Sequence, residues 1–155
     1  MIKILFICRG NICRSPMAEF VMKDMLEKRG VADSFEIASA ATSTEELGNP
    51  VYPPVRRLLE QNGLSCSGKF ARQMTKEDYS YYHFIVVMDR YNLRNMSRFV
   101  GNDPLNKISL LMDYTNRPGD VSDPWYSGDF EKTWHDINDG CRGLLKSILK
   151  KLPAE

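Results

Sequence analysis

The stretch Ile2-Lys3-Ile4-Leu5-Phe6-Ile7-Cys8-Arg9-Gly10-Asn11-Ile12-Cys13-Arg14-Ser15-Pro16 decides how the rest of the chain reads. Apart from Lys3, its first six residues are aliphatic or aromatic, and the run stops at Gly10. That is the pattern of a short buried strand. Ser15-Pro16 then predicts a helix start. Serine is a good N-cap, and proline suits the first helical position because its missing N–H would lack a partner there anyway. Ala18, Val21, Met22, Met25 and Leu26 follow at helical spacing, and Gly30 supplies the stop. Residues 8–15 are left as a loop between strand and helix.

The same alternation continues outward. Phe35-Glu36-Ile37-Ala38 predicts a second strand. The segment from Thr42 to Pro54 holds Gly48, Pro50, Pro53 and Pro54 and reads mostly as loop. Val55, Leu58 and Leu59 mark a helix ending near Gly63. A third strand is expected over Phe84–Met88, a helix over Tyr91–Phe99 and a fourth strand over Lys107–Leu111. Asp113 to Asp129 is rich in turn residues. From Phe130 to Leu152, apolar residues recur at steps of one, three or four, which predicts an amphipathic helix of about six turns. Strands alternating with helices, the strands themselves apolar, predict an α/β fold with a parallel sheet covered by helices on both faces. Such sheets bind ligands at the carboxyl ends of their strands, near a topological switch point. The loop after the first strand is therefore the first candidate for chemistry.

Composition narrows the function classes. A chain of 155 residues is the size of one domain, expected over 1–155. Lys+Arg is 21 and Asp+Glu is 20, a net charge of +1, which argues against attraction to nucleic acid or an anionic membrane by bulk charge. Four cysteines (8, 13, 66 and 141) are too sparse for a disulfide scaffold. With no Cys-x-x-Cys pair and only two histidines (His83 and His135), no metal site is expected. The opening apolar run is too short for a signal peptide and lacks a cleavage site. No stretch approaches the ~18 apolar residues of a membrane span. A cytoplasmic location, where free thiols persist, is the expectation.

The loop Cys8-Arg9-Gly10-Asn11-Ile12-Cys13-Arg14-Ser15 joins a thiol, a guanidinium and a hydroxyl at a helix entrance. A loop entering a helix turns free backbone N–H groups toward its concave side, and the helix dipole adds positive potential. Gly10 is expected to provide a conformation that residues with a Cβ resist. Such a nest suits a phosphate-like dianion, and Arg14 offers a planar fork for two of its oxygens. The same field favours Cys8 as a thiolate, with the Ser15 hydroxyl donating to it. Taken alone, Cys8 reads more readily as a small buried hydrophobe at a strand end; the rest of the loop favours the reactive reading. Phosphoryl transfer to sulfur needs an acid for the departing oxygen. Asp123, in Ser122-Asp123-Pro124-Trp125-Tyr126, is the candidate. By itself that segment also reads as a turn followed by core aromatics.

At this point the chain resembles the low-molecular-weight protein tyrosine phosphatases, nearly end to end. The carrying motifs are Cys8 through Pro16, Ser39-Ala40-Ala41-Thr42-Ser43, Gly48-Asn49-Pro50, Ala71-Arg72-Gln73, Met88-Asp89 with Asn92-Leu93, and Asp123-Pro124-Trp125-Tyr126. The resemblance implies a three-layer α/β fold with a four-stranded parallel sheet and the phosphate loop after strand 1. It implies a metal-independent, cofactor-free reaction in two steps. Cys8 would be the nucleophile, Arg14 the phosphate ligand, Ser15 the group that tunes the thiolate, and Asp123 the acid and then the base. Asn11 would hold the loop in a strained conformation. Arg9, Gly10, Ile12 and Cys13 would complete the phosphate cradle. Cys13 would also be the redox partner of Cys8, while Cys66 and Cys141 look structural.

The resemblance also bears on substrate. Ile12 stands where phosphoarginine-specific members carry threonine, so the loop resembles the tyrosine-directed form. Trp125 and Tyr126 would wall the cleft and stack on a phosphotyrosine ring. Glu45 falls at an aromatic wall position, where an acid is expected to disfavour acidic phosphopeptides. Lys69 falls where many members carry a histidine that supports Asn11. The implied partner is a phosphotyrosine-containing protein, a tyrosine kinase being one case, and the implied state is a monomer or weak dimer.

Two other readings remain open at this stage. A thioredoxin-coupled arsenate reductase on the same fold would need two further cysteines close together, and Cys66 and Cys141 are far apart in sequence. A non-catalytic phosphate-binding module would keep the cradle but lack Cys8 or Asp123, and both are present.

Overall fold

The computed structural model describes residues 1–152; the last three residues of the expected domain lie outside them. The chain runs β1 (Ile2–Cys8), α1 (Arg14–Lys28), a 3-10 turn at Ala32–Ser34, β2 (Phe35–Ala41), α2 (Pro53–Gln61), α3 (Lys76–Tyr81), β3 (Phe84–Val87), α4 (Arg90–Asn95), α5 (Ser97–Val100), β4 (Ile108–Leu110), a 3-10 turn at Leu111–Tyr114, α6 (Pro124–Ser127) and α7 (Phe130–Lys151). The four strands form one sheet in the order β2-β1-β3-β4, every pairing parallel. The expected four-stranded parallel sheet is present.

The strict alternation of side chains along β1 explains why its run is apolar throughout. Ile4, Phe6 and Cys8 face one layer, with Met17 and Met22 of α1, Leu59 of α2, and Ile137, Cys141 and Leu144 of α7. Leu5 and Ile7 face the other, with Tyr79 of α3, Met96 and Val100. A strand buried on both faces has no polar side to show. After β1 the chain pairs β2 on one side, then returns to place β3 on the other. The carboxyl end of β1 is therefore the switch point, and the loop 8–13 occupies the crevice beyond it.

Several local expectations shift. Helix α1 begins at Arg14, with Cys13 as an N-cap that makes no side-chain bond. Ser15 does not cap it; its hydroxyl is engaged with Cys8 and Asn11. The predicted helix over 91–99 is two short helices that meet at Met96, which is fully buried. Helix α3 was not expected, although Thr75 and Asp78 form a capping box, a pattern readable in sequence. Among the described residues no helix is long and apolar enough to cross a membrane.

Helix α7 meets the 3-10 turn before it so closely that Gly143 is a packing requirement. A Cβ there would lie 2.0 Å from the Tyr114 carbonyl oxygen, a backbone atom that cannot rotate away. Replacing an interior helix glycine by alanine ordinarily gains about 1 kcal/mol. Here Gly143→Ala is expected to destabilise by about 1–3 kcal/mol, as overpacking does, read as a lower midpoint of urea unfolding. A midpoint that stays or rises would show that the turn yields.

Candidate active site

Where β1 ends, the ladder carries the chain into the neighbouring segment. Thr42 N–H donates to the Cys8 carbonyl and Ser43 N–H to that of Arg9. Among the described residues, the backbone N–H groups of residues 10–13 have no protein acceptor. With the entrance of α1 beside them, they form the anion nest that the sequence suggests. The left-handed residue in the loop is Asn11, with φ 59°, and not Gly10. Gly10 serves proximity instead: a Cβ there would meet the Glu46 side chain at 3.3 Å.

Asn11 is held by three bonds. Its Oδ1 accepts from Arg72 N–H at 3.2 Å, which fixes the amide orientation. Its Nδ2 donates to Ser15 Oγ at 2.8 Å and to Ser39 Oγ at 3.0 Å. Since Ser15 Oγ already accepts from Asn11, its own hydrogen turns to Cys8 Sγ, 2.9 Å away. Ser15 N–H also points at that sulfur, at 3.4 Å. Two donors thus converge on Sγ, the polarity a nucleophilic sulfur requires. On the other side, Ser39 Oγ donates to Glu19 Oε1 at 2.6 Å. Glu19 is buried, with Lys23 at 2.6 Å and Lys69 at 3.6 Å. Lys69 also donates to the Ser39 carbonyl at 2.8 Å. It therefore supports Ser39 and Glu19, and reaches Asn11 only through them. Burial pulls the Lys69 pKa down, and the Glu19 charge opposes this only in part.

The guanidinium of Arg14 is almost wholly buried. Nη1 donates to Asp89 Oδ2 at 2.8 Å and to the Val121 carbonyl at 2.9 Å. Nη2 reaches Asp123 Oδ2 at a looser 3.4 Å. Two of its five N–H groups are thereby used to fix the plane of the fork, leaving Nε and most of Nη2 for an anion. Burial would lower the Arg14 pKa, but the charges of Cys8, Asp89 and Asp123 outweigh it and leave it raised. Asp123 caps α6 with Oδ1, which accepts from Trp125 N–H at 3.0 Å. Its Oδ2 is the oxygen turned to the site.

A cavity of about 130 Å³ collects these groups. Cys8, Cys13 and Arg14 line it together with Arg9, Gly10 and Ile12. Glu45, Asp123, Trp125 and Tyr126 form its rim. Trp125 and Tyr126 are 51% and 75% exposed, so they are wall residues and not the core aromatics that the segment alone would suggest. Trp125 is braced by Tyr52, ring centroids 4.9 Å apart, and Tyr52 in turn by Phe130. The Glu45 carboxylate is engaged by Arg9 at 2.6 Å.

All the proposed loop residues are thus brought together. Reasoning from sequence gave no role to Asp89, Ser39 or Glu19. The Asp89-x-x-Asn92 spacing of a capping box, present here, was the available signal for Asp89. Nothing in the helical pattern of α1 marked Glu19 as buried.

The other thiols differ from Cys8 in their surroundings. Burial pushes the Cys13 thiol far up, and the neighbouring Cys8 adds to this. Burial alone does the same to Cys141, whose sulfur faces the Ala18 carbonyl, and burial raises Cys66. Iodoacetamide at neutral pH is therefore expected to add one carbamidomethyl group per native chain, at Cys8, and Cys8→Ser should abolish it in the intact-mass spectrum. Primary labelling at Cys13 would overturn the assignment of polarity within the loop.

Comparison with known proteins agrees with this geometry. The sequence model described as "Low molecular weight phosphotyrosine protein phosphatase" matches residues 3–154. The low molecular weight protein-tyrosine-phosphatase YfkJ of Bacillus subtilis is 37% identical over 153 residues, covering 97% of this chain and 98% of that protein. Its crystal structure superposes with a TM-score of 0.95, covering 99% of this chain and 98% of that one, at 36% identity. The low molecular weight protein tyrosine phosphatase of Streptococcus pyogenes gives a TM-score of 0.87 at 37% identity, covering 97% and 95%. On the family match, the near-complete coverage and the geometry of residues 8–15, the chain belongs to the low molecular weight phosphotyrosine protein phosphatase family.

Proposed function

We propose that the chain hydrolyses phosphotyrosine in proteins by way of a phosphocysteine at Cys8. One observation carries this reading: Cys8 Sγ, fed by two hydrogen-bond donors from Ser15, shares a cavity with Arg14 and, at its rim, Asp123. The dianion is received by the N–H groups of the loop and by the Arg14 fork, which displaces the loose contact between Arg14 and Asp123. Sγ, as thiolate, attacks phosphorus in line. The bond from phosphorus to the tyrosyl oxygen breaks, and Asp123 Oδ2 gives its proton to that oxygen. Water then attacks the phosphocysteine, Asp123 takes the proton, and the P–S bond breaks to return the thiolate. Charge that builds on the equatorial oxygens meets fixed N–H dipoles and Arg14 in a largely buried setting, where such interactions are strongest.

The wall of Trp125 and Tyr126 favours an aromatic phosphoester, which must reach through the rim to bring its phosphorus to Sγ. Proteins phosphorylated on tyrosine, including a tyrosine kinase, are the substrates in this reading, and the cytoplasm is the location where the free Cys8 thiol persists.

The test uses p-nitrophenyl phosphate, a phosphotyrosine peptide and a phosphoarginine peptide in a buffer with chelator. Wild type should cleave the first two and leave the third. Cys8→Ser should abolish turnover; unimpaired turnover would sink the mechanism. Asp123→Ala should lose far more rate on the phosphotyrosine peptide than on p-nitrophenyl phosphate, whose leaving group needs little protonation. Asn11→Ala should cost roughly 10–100-fold in kcat, as loss of a buried orienting hydrogen-bond network does. It should act on both cleaved substrates alike, since it acts through Ser15 and the loop and not on the leaving group.

A further inference from the structure

Beside the cleft, across the Arg9–Glu45 ion pair, lies a second depression of about 440 Å³. Arg9 and Glu45 belong to both. Its remaining walls are Thr42 and Ser43 on one side and Arg94, Asn95, Ser97 and Arg98 on the other. The first wall is continuous with the phosphate loop, because the amides of Thr42 and Ser43 donate to the carbonyls of Cys8 and Arg9. The depression adjoins the cleft through Arg9 and Glu45, within reach of residues that flank a phosphotyrosine seated there.

The charge in the depression is lopsided. Three guanidiniums line it against one carboxylate, and that carboxylate, Glu45, is already paired with Arg9 at 2.6 Å. Among the described residues neither Arg94 nor Arg98 has a carboxylate partner. Both are nevertheless positioned. Arg94 stacks on the ring of Tyr91 at 4.9 Å, and Arg98 on that of Phe99 at 4.8 Å. Arg98 also donates to the Thr42 carbonyl. Stacked guanidiniums keep their edges for planar anions. The excess of two positive charges lies in a protein whose whole net charge is +1, so it is a local feature and not a reflection of composition.

The geometry points to a second anion subsite, formed by Arg94 and Arg98 with Ser43 and Ser97, that takes an acidic side chain flanking the phosphotyrosine of the substrate. The ligand chemistry is a carboxylate or a second phosphate on the same peptide. The inference rests on the phosphatase reading above and deepens it. It reverses what Glu45 suggests by itself: the acid at the rim is neutralised by Arg9, and the cations beyond it set the preference.

The experiment compares kcat/KM for three phosphotyrosine peptides of equal length. Their flanking positions carry glutamine, glutamate or phosphoserine. Each protein is scored by its ratio of acidic-flanked to glutamine-flanked peptide. Wild type at low salt should favour the acidic flanks by roughly three- to tenfold, carried in KM, the scale of one or two partly exposed ion pairs. The ratio should shrink toward one as salt is raised, since the groups are open to solvent. Arg94→Gln should lower the ratio, and Arg94→Gln with Arg98→Gln should bring it to about one, as should Arg94→Glu, whose charge cancels that of Arg98. Arg98→Lys, which keeps the charge and a donor for Thr42, should retain most of it. A glutamate-only preference assigns the subsite to carboxylates, and a phosphoserine-only preference assigns it to phosphate. A wild-type ratio of one, or a ratio unchanged in the double variant, overturns the subsite. If wild type fails to cleave even the glutamine-flanked peptide, it is the phosphatase reading that falls.

Discussion

The structure of the site depends on the side-chain amide of Asn11. The loop 8–13 must turn sharply to aim its N–H groups inward, and Asn11 takes the left-handed backbone conformation that this turn needs. For a residue with a Cβ that conformation costs roughly 1–2 kcal/mol, so something must hold it. Glycine would adopt it freely but would offer no amide. Asparagine tolerates it and, with one carbonyl and one NH2 group, ties the loop to Arg72, Ser15 and Ser39. The direction of the hydrogen bond from Ser15 to Cys8 follows from those ties. Conformation and polarity are therefore specified by a single residue type.

A second constraint is electrostatic. Arg14 is buried between Asp89 and Asp123, and a buried cation needs such partners. The two carboxylates are not equivalent. Asp89 lies close and holds the fork through Nη1, while Asp123 is more exposed and its contact is long. The firm partner preserves geometry. The loose one can give way to an incoming anion, and it is the one that caps the short helix carrying Trp125 and Tyr126. A ligand that engages those rings therefore also bears on the segment that carries Asp123.

Much of this was legible in the sequence, for identifiable reasons. The apolar run of β1 and the Ser-Pro helix signal place a loop at the switch point of a parallel sheet, and residues 8–15 contain the proposed nucleophile, the proposed anion ligand and the hydroxyl. Trp125 and Tyr126 were legible only through the resemblance, because two aromatics after a turn read as core until their exposure is known. What stayed hidden were supports contributed from afar in sequence. Glu19 looks like any polar residue on an amphipathic helix, yet it lies beneath Ser39. Asp89 looks like a helix cap, which it is, and its second oxygen holds Arg14. Such dual use leaves no periodic trace. The role assumed for Gly10 failed for a related reason: a glycine beside an asparagine in a turn does not tell which of the two takes the positive φ.

Arg9 borders the candidate active-site cleft, the basic depression beyond Glu45 and a third hollow between Asp89, Asn95 and Asp120. It is one cation on an exposed, rotatable stem, and it serves as a shared boundary post. Its guanidinium is paired with Glu45 at 2.6 Å and is a wall common to all three hollows, so a substitution at Arg9 would alter the shape and charge of all three together.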